Sequence, residues 1–141
     1  MVTISDDAVV TNTSSSGNSN GHAIFSSSAS GIMNINGGTV STTEPNSFAI
    51  RSTNLMVVNL NNSPVINGRI FTNSTTAEGR LTMGDSFAPN GIYTVDISTY
   101  TLNTIVVTGG ANFASSFALP QNRLDTGWIL QAVGDDLLLR N

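Results

Sequence analysis

The sequence predicts an all-β protein: a right-handed parallel β-helix of about five to six coils, closed by a C-terminal capping hairpin. Three observations point there. Short apolar bursts alternate with polar residues at period two and are rich in β-branched side chains. Similar bursts recur at intervals of about 20–26 residues, the scale of a solenoid repeat. Ser, Thr, Asn and Gly make up 65 of the 141 residues, so turn formers stand between the bursts.

Taken in order, Val2–Val10 reads as a strand interrupted at Asp6-Asp7. Residues 11–21 are a loop of turn formers. The clearest strands that follow are Ile32-Met33-Asn34-Ile35, Leu55–Leu60, Tyr93–Ile97 and Thr104–Thr108. The best helical candidate, Phe113 to Leu119, is short and stops at Pro120. Trp128–Val133, the turn Gly134-Asp135-Asp136 and Leu137–Arg140 read as a hairpin. The expected division is an N-terminal strand and loop over 1–20, coils over 21–110 and a cap over 111–141. A solenoid needs such a cap because its last coil otherwise exposes apolar side chains and unpaired backbone.

The repeats set the stacking. Ala23-Ile24-Phe25 aligns with Ala49-Ile50-Arg51 and Arg69-Ile70-Phe71. Met33-Asn34-Ile35-Asn36 aligns with Val58-Asn59-Leu60-Asn61 and Leu81-Thr82-Met83-Gly84. Gly38-Thr39-Val40 aligns with Ser63-Pro64-Val65. One coil cannot bury its own apolar face, but coils stacked about 4.8 Å apart place like side chains over one another. The isoleucines 24, 50 and 70 then form one column, and Ile35, Leu60 and Met83 another. Asn34 and Asn59 face outward, Asn36 and Asn61 sit at corners, and Gly37-Gly38 and Gly109-Gly110 supply further corners. Right-handedness follows from the general crossover preference.

Composition narrows the function. Net charge is −4 with a pI near 4.5, and the five cations are all Arg, which disfavours nucleic-acid binding. There is no Cys for a disulfide or a thiolate metal site. No apolar run approaches the roughly 20 residues of a membrane span. The N-terminus has no positively charged start, apolar segment or small-residue cleavage site, so either the protein is not exported through such a signal or, the favoured expectation, this is an excised portion of a larger exported protein. Asn12-Thr13-Ser14 and Asn73-Ser74-Thr75 match the glycosylation acceptor pattern, as expected by chance in a chain of this composition.

Gly21-His22-Ala23-Ile24, Gly31-Ile32-Met33-Asn34-Ile35-Asn36-Gly37-Gly38-Thr39-Val40-Ser41 and Phe48-Ala49-Ile50 resemble the repeats of large bacterial surface proteins. In those, a strand carrying Ala-Ile alternates with one reading Ile-x-Ile-x-Gly-Gly-Thr-Val-Ser. The likeness covers residues 21–70 best. It implies a right-handed parallel β-helix, a secreted or wall-attached parent and a role in adhesion or carbohydrate binding.

The chemistry inventory is sparse. His22 is the only histidine, stands beside a glycine at a coil corner and reads as an exposed structural residue without triad context. The nine carboxylates include Glu44 and Glu78. Asp85 and Asp96 with Arg80 make the best enzyme-like set, the kind a polysaccharide lyase would pair with calcium, although turn chemistry accounts for Asp85 and an outward strand position for Asp96. Tyr93 and Tyr100 flank Asp96 and offer a platform for a sugar ring; with Arg80 and Asp85 they complete the candidate glycan-binding set. Phe25 and Phe71 are expected to stack over each other. No catalytic residue, metal or cofactor is expected, and calcium has no EF-hand or nonapeptide pattern behind it. An ice-binding face would need a regular Thr array, and Pro64 stands where one would continue.

The function expected is therefore a non-enzymatic, extracellular or cell-surface module for adhesion or carbohydrate binding. Its partners would be a glycan or cell-surface ligand and, for a stalk, further copies of itself. The alternatives are a small polysaccharide-active enzyme and a structural spacer or self-assembling stalk.

Overall fold

The computed structural model describes residues 1–13, 21–43, 47–73 and 80–141. Its strands are, in chain order, β1 (Val2–Asn12), β2 (His22–Ser26), β3 (Ile32–Thr42), β4 (Phe48–Ser52), β5 (Val57–Asn61), β6 (Val65–Asn67) and β7 (Arg69–Thr72). There follow β8 (Leu81–Met83), β9 (Tyr93–Asp96), β10 (Ile105–Thr108), β11 (Phe117–Ala118), β12 (Ile129–Val133) and β13 (Asp136–Arg140). The larger sheet has the order β1-β3-β5-β8-β10-β13-β12, with β6 also on β3, and the smaller the order β11-β9-β7-β4-β2. Along the chain the coils pass from one sheet to the other, and pairing between coils is parallel throughout. The result is a parallel β-helix of about four turns, fewer than the five to six expected. Each turn consumes 23 to 25 residues where the asparagine column measures it, and the closing segments take the rest.

The aliphatic columns form as the repeat series predicts. Ile24, Ile50, Ile70 and Val95 lie in register across the smaller sheet. Ile4, Ile35, Leu60 and Met83 do so across the larger one. Most of these side chains are buried, each contributing roughly 1.5–3 kcal/mol relative to exposure. On the outside of the larger sheet a polar column runs alongside. The Asn59 amide donates to Asn34 Oδ1 at 3.2 Å, and Thr82 Oγ1 donates to Asn59 Oδ1 at 3.0 Å. The Asn61 amide donates to Asn36 Oδ1 at 2.8 Å. Identical amides stacked along a solenoid bond in this way because parallel register brings them level.

The coil has a third side. β3 turns a corner at Gly37-Gly38, both at positive φ, so its first arm pairs with β5 and its second with β6. In that second arm Val40 lies opposite Ile66, one residue beyond the Val65 expected from sequence. The corner before β6, with Asn62 at φ 54, is one residue longer than the glycine corner it stacks upon. β1 bulges between Asp6 and Val9, at the interruption read from Asp6-Asp7, and then continues to Asn12, into the stretch expected as loop. Residues 14–20 of that loop, Glu44, Glu78 and the serines and threonine completing both glycosylation matches lie outside the described residues.

The expected helical run Phe113–Leu119 divides into a 3-10 turn at Ala111–Ser116 and the strand β11, which still pairs with β9. Pro120 instead opens a one-turn helix, α1 (Gln121–Leu124), where its fixed φ suits a helix start. β12 and β13 form the expected antiparallel hairpin, and β13 docks antiparallel on β10. Leu137 and Leu139 plug the last coil and are fully buried. No helix among the described residues is long and apolar enough to cross a membrane.

Candidate functional site

The sequence-derived set does not assemble into an exposed platform. Tyr93 is 1% exposed and Tyr100 5%. The Tyr93 hydroxyl donates to the Pro64 carbonyl at 2.7 Å and accepts from the Asn90 amide at 3.0 Å. The Tyr100 hydroxyl bonds Thr72 Oγ1 at 2.7 Å. A phenol can enter the core when its hydroxyl finds a partner there, and both do. Burial pushes both phenols above the ordinary tyrosine range; for Tyr100 the Thr72 bond and the Arg80 charge act against that rise. Arg80 thus lies near Tyr100, whereas Asp96 takes a different arginine. Asp96 Oδ2 accepts from Arg69 Nη1 at 2.9 Å, and its Oδ1 accepts from the Ser98 amide at 3.0 Å. Asp85 stands exposed in the turn closed by the Phe87 amide and the Gly84 carbonyl. Among the described residues no group of three or more His, Asp or Glu could hold a metal.

The outer face of the smaller sheet is organised around rings and guanidinium groups. His22 stacks on Phe25 with centroids 5.6 Å apart and meets Phe48 edge-on at 5.6 Å. Arg51 lies over Phe48 and Phe71 at 5.3 and 5.7 Å, and Arg69 over Phe48 at 4.5 Å. Arg51, not Phe25, is therefore the neighbour of Phe71 in register. The expectation that the two phenylalanines stack is corrected by one intervening coil. His22 is half-buried rather than exposed. Arg51 Nη1 lies 3.2 Å from His22 Nε2, and because arginine can only donate, that nitrogen accepts and the imidazole is neutral. Burial and the Arg51 charge hold its pKa below the usual histidine value, while a bond with the Gly21 backbone acts in the opposite sense.

Where this face meets the C-terminal segment lies a groove of about 640 Å³. Arg69 and Thr94, paired in register on β7 and β9, form one wall. Gln121, Asn122 and Asp125, carried by α1 and its C-terminal end, form the other, with Leu119 and Pro120 beside them. The Arg69 guanidinium pairs with Asp96 and lies over the Phe48 ring. Gln121 Nε2 donates to Asp125 Oδ1 at 3.3 Å. The wall therefore offers amide, hydroxyl, carboxylate and guanidinium groups around an apolar strip, which can hydrogen-bond and pack against a polyhydroxylated ring. Sequence reasoning missed these residues because they come from three separate stretches. The available signals were the Arg flanking Ile70, in the outward phase of its repeat, and the helix-starting Pro120. No protein-family model, curated protein or solved structure matches the chain.

Proposed function

We propose that this β-helix is a non-enzymatic module of an extracellular or cell-surface protein that binds glycan through the groove between the smaller sheet and α1. The observation that carries the reading is the groove's lining: neutral amides and hydroxyls from Thr94, Gln121 and Asn122 beside an Arg69 already committed to Asp96. Such donors and acceptors match the hydroxyl pattern of a sugar ring. The resemblance of residues 21–70 to bacterial surface repeats supports the same setting.

A glycan array on the full chain, followed by calorimetry on the hits, tests the proposal. Binding that Gln121→Ala and Asn122→Ala weaken, with unchanged circular dichroism, supports it. Absence of binding to every glycan class removes it. Turnover of pectin or alginate with calcium, lost in Asp96→Ala, would replace it with the enzyme reading.

A further inference from the structure

The groove does not end at Thr94. On the other side of that residue lies a second hollow of about 340 Å³, bounded by Thr42 at the end of β3, Thr43 just after it, Asn67 at the end of β6, and Ile92. Both hollows share Thr94 as a lining residue. Gly68 lies in the second hollow at φ +126, and a Cβ there would come within 3.0 Å of the Ala49 backbone nitrogen. The absence of a side chain at Gly68 thus lets the chain pass close against Ala49 and Ser47 of the neighbouring coil immediately before Arg69, which lines the first hollow. The two hollows adjoin along the coil corner between β6 and the smaller sheet.

We infer that these hollows are one trough for a linear, uncharged oligosaccharide laid across Thr94, a proposal that rests on the glycan reading above. Length follows from two adjoining hollows rather than one. Lack of charge follows from the lining. Thr42, Thr43, Asn67, Thr94, Gln121 and Asn122 are neutral hydrogen-bonding residues. Among the described lining residues the Arg69 cation is matched by Asp96 at 2.9 Å, which leaves Asp125 as net negative charge in a chain of net charge −4. A polyuronate would meet that charge without a spare cation among the lining residues. Ile92, 59% exposed, and Pro120 supply apolar surface in the two hollows for the faces of sugar rings. An extended peptide is the poorer fit at the junction, because β9, which carries Thr94, is already paired on both edges, by β7 and β11.

Calorimetry of the full chain with cello-, xylo-, manno- and chito-oligosaccharides of one to six units decides the matter. For at least one series, affinity should rise roughly tenfold or more from the monosaccharide to the longer members, as a second subsite fills. Thr94→Phe, placed at the junction, should bring the longer members down to the monosaccharide value, and Ile92→Ser, on an exposed position, should reduce the gain with chain length while the fold persists. Equal affinity for one unit and six overturns the two-hollow trough but leaves the glycan reading intact. So does preference for polygalacturonate over every neutral series. Displacement of the sugar by unstructured peptides of similar length counts against the inference in the same way. If no glycan of any kind binds, both readings fall together.

Discussion

At the C-terminal end of the stack the chain reverses direction: β13 runs antiparallel on β10 and β12 folds back upon it. At the N-terminal end β1 lies parallel on β3 and β2 parallel on β4, and each is the outermost described strand of its sheet. The reversal lets Leu137 and Leu139 drop into the last coil with protein on both sides, so their burial is complete. Ile4, in the first rung, has a neighbour column on one side and keeps 8% exposure, while Val9 is 70% exposed. The first rung relies on another device. Its midpoint carries Asp6 and Asp7 at a bulge, and charge with a bulge on an outer strand discourages edge-to-edge pairing. A solenoid can thus be finished by covering its end or by making the end a poor template.

The largest test of this contrast is at the buried plugs. Leu139→Ala should lower unfolding free energy by about 2–5 kcal/mol, and Ile4→Ala by an amount near or below the bottom of that range, because its site can relax toward solvent. Urea unfolding of both variants measures the difference; an equal or larger loss for Ile4 would mean that the two ends are equally packed.

Next comes the bulge. Gly38 has φ +72, and a Cβ there would sit 2.6 Å from the Ala8 carbonyl oxygen. Gly38→Ala should cost roughly 1–3 kcal/mol through left-handed strain and displacement of β1. Hydrogen exchange should accelerate in β1 while the β12–β13 hairpin keeps its protection; acceleration at both ends would show that the rungs open as one unit.

The third test uses pH at the first rung of the smaller sheet. The lowered pKa of His22 in the folded chain means that the unfolded chain takes up its proton first as pH falls. The stabilisation is fully present above about 6.5, the unfolded value, and is lost as pH drops from there through the folded value. The urea midpoint should fall across that window in the native chain and fall less in His22→Gln. Identical slopes would remove His22 as the cause.

The smallest effect on stability belongs to Asp6→Asn with Asp7→Asn, within about 0.5 kcal/mol, as for exposed positions generally. Its readout is association: light scattering should show more self-association than in the native chain, whereas unchanged mass would mean that the bulge alone protects the edge.

The columns were legible in the sequence because a repeated alternation of five or so residues leaves little freedom of register. Ile24 over Ile50 over Ile70 and Asn34 over Asn59 follow from it. The Val40–Val65 alignment slipped by one because the second arm pairs over three residues only, and a three-residue match cannot sense an extra residue at the preceding corner. The site was much less legible. Tyr93 and Tyr100 look from sequence like surface platforms, yet Pro64 and Thr72 provide hydroxyl partners inside the wall, and nothing near the tyrosines in sequence announces those partners.

Local pattern therefore determined the strands, the stacking columns, the Asp6-Asp7 interruption and the closing hairpin, since each depends on side chains a few residues apart or one repeat apart. Winding and corner length decided the third side of the coil, the burial of the tyrosines and the meeting of Arg69, Thr94 and Gln121. Those outcomes depend on how far each corner advances the chain around the axis, a sum over many turns that no short stretch of residues encodes.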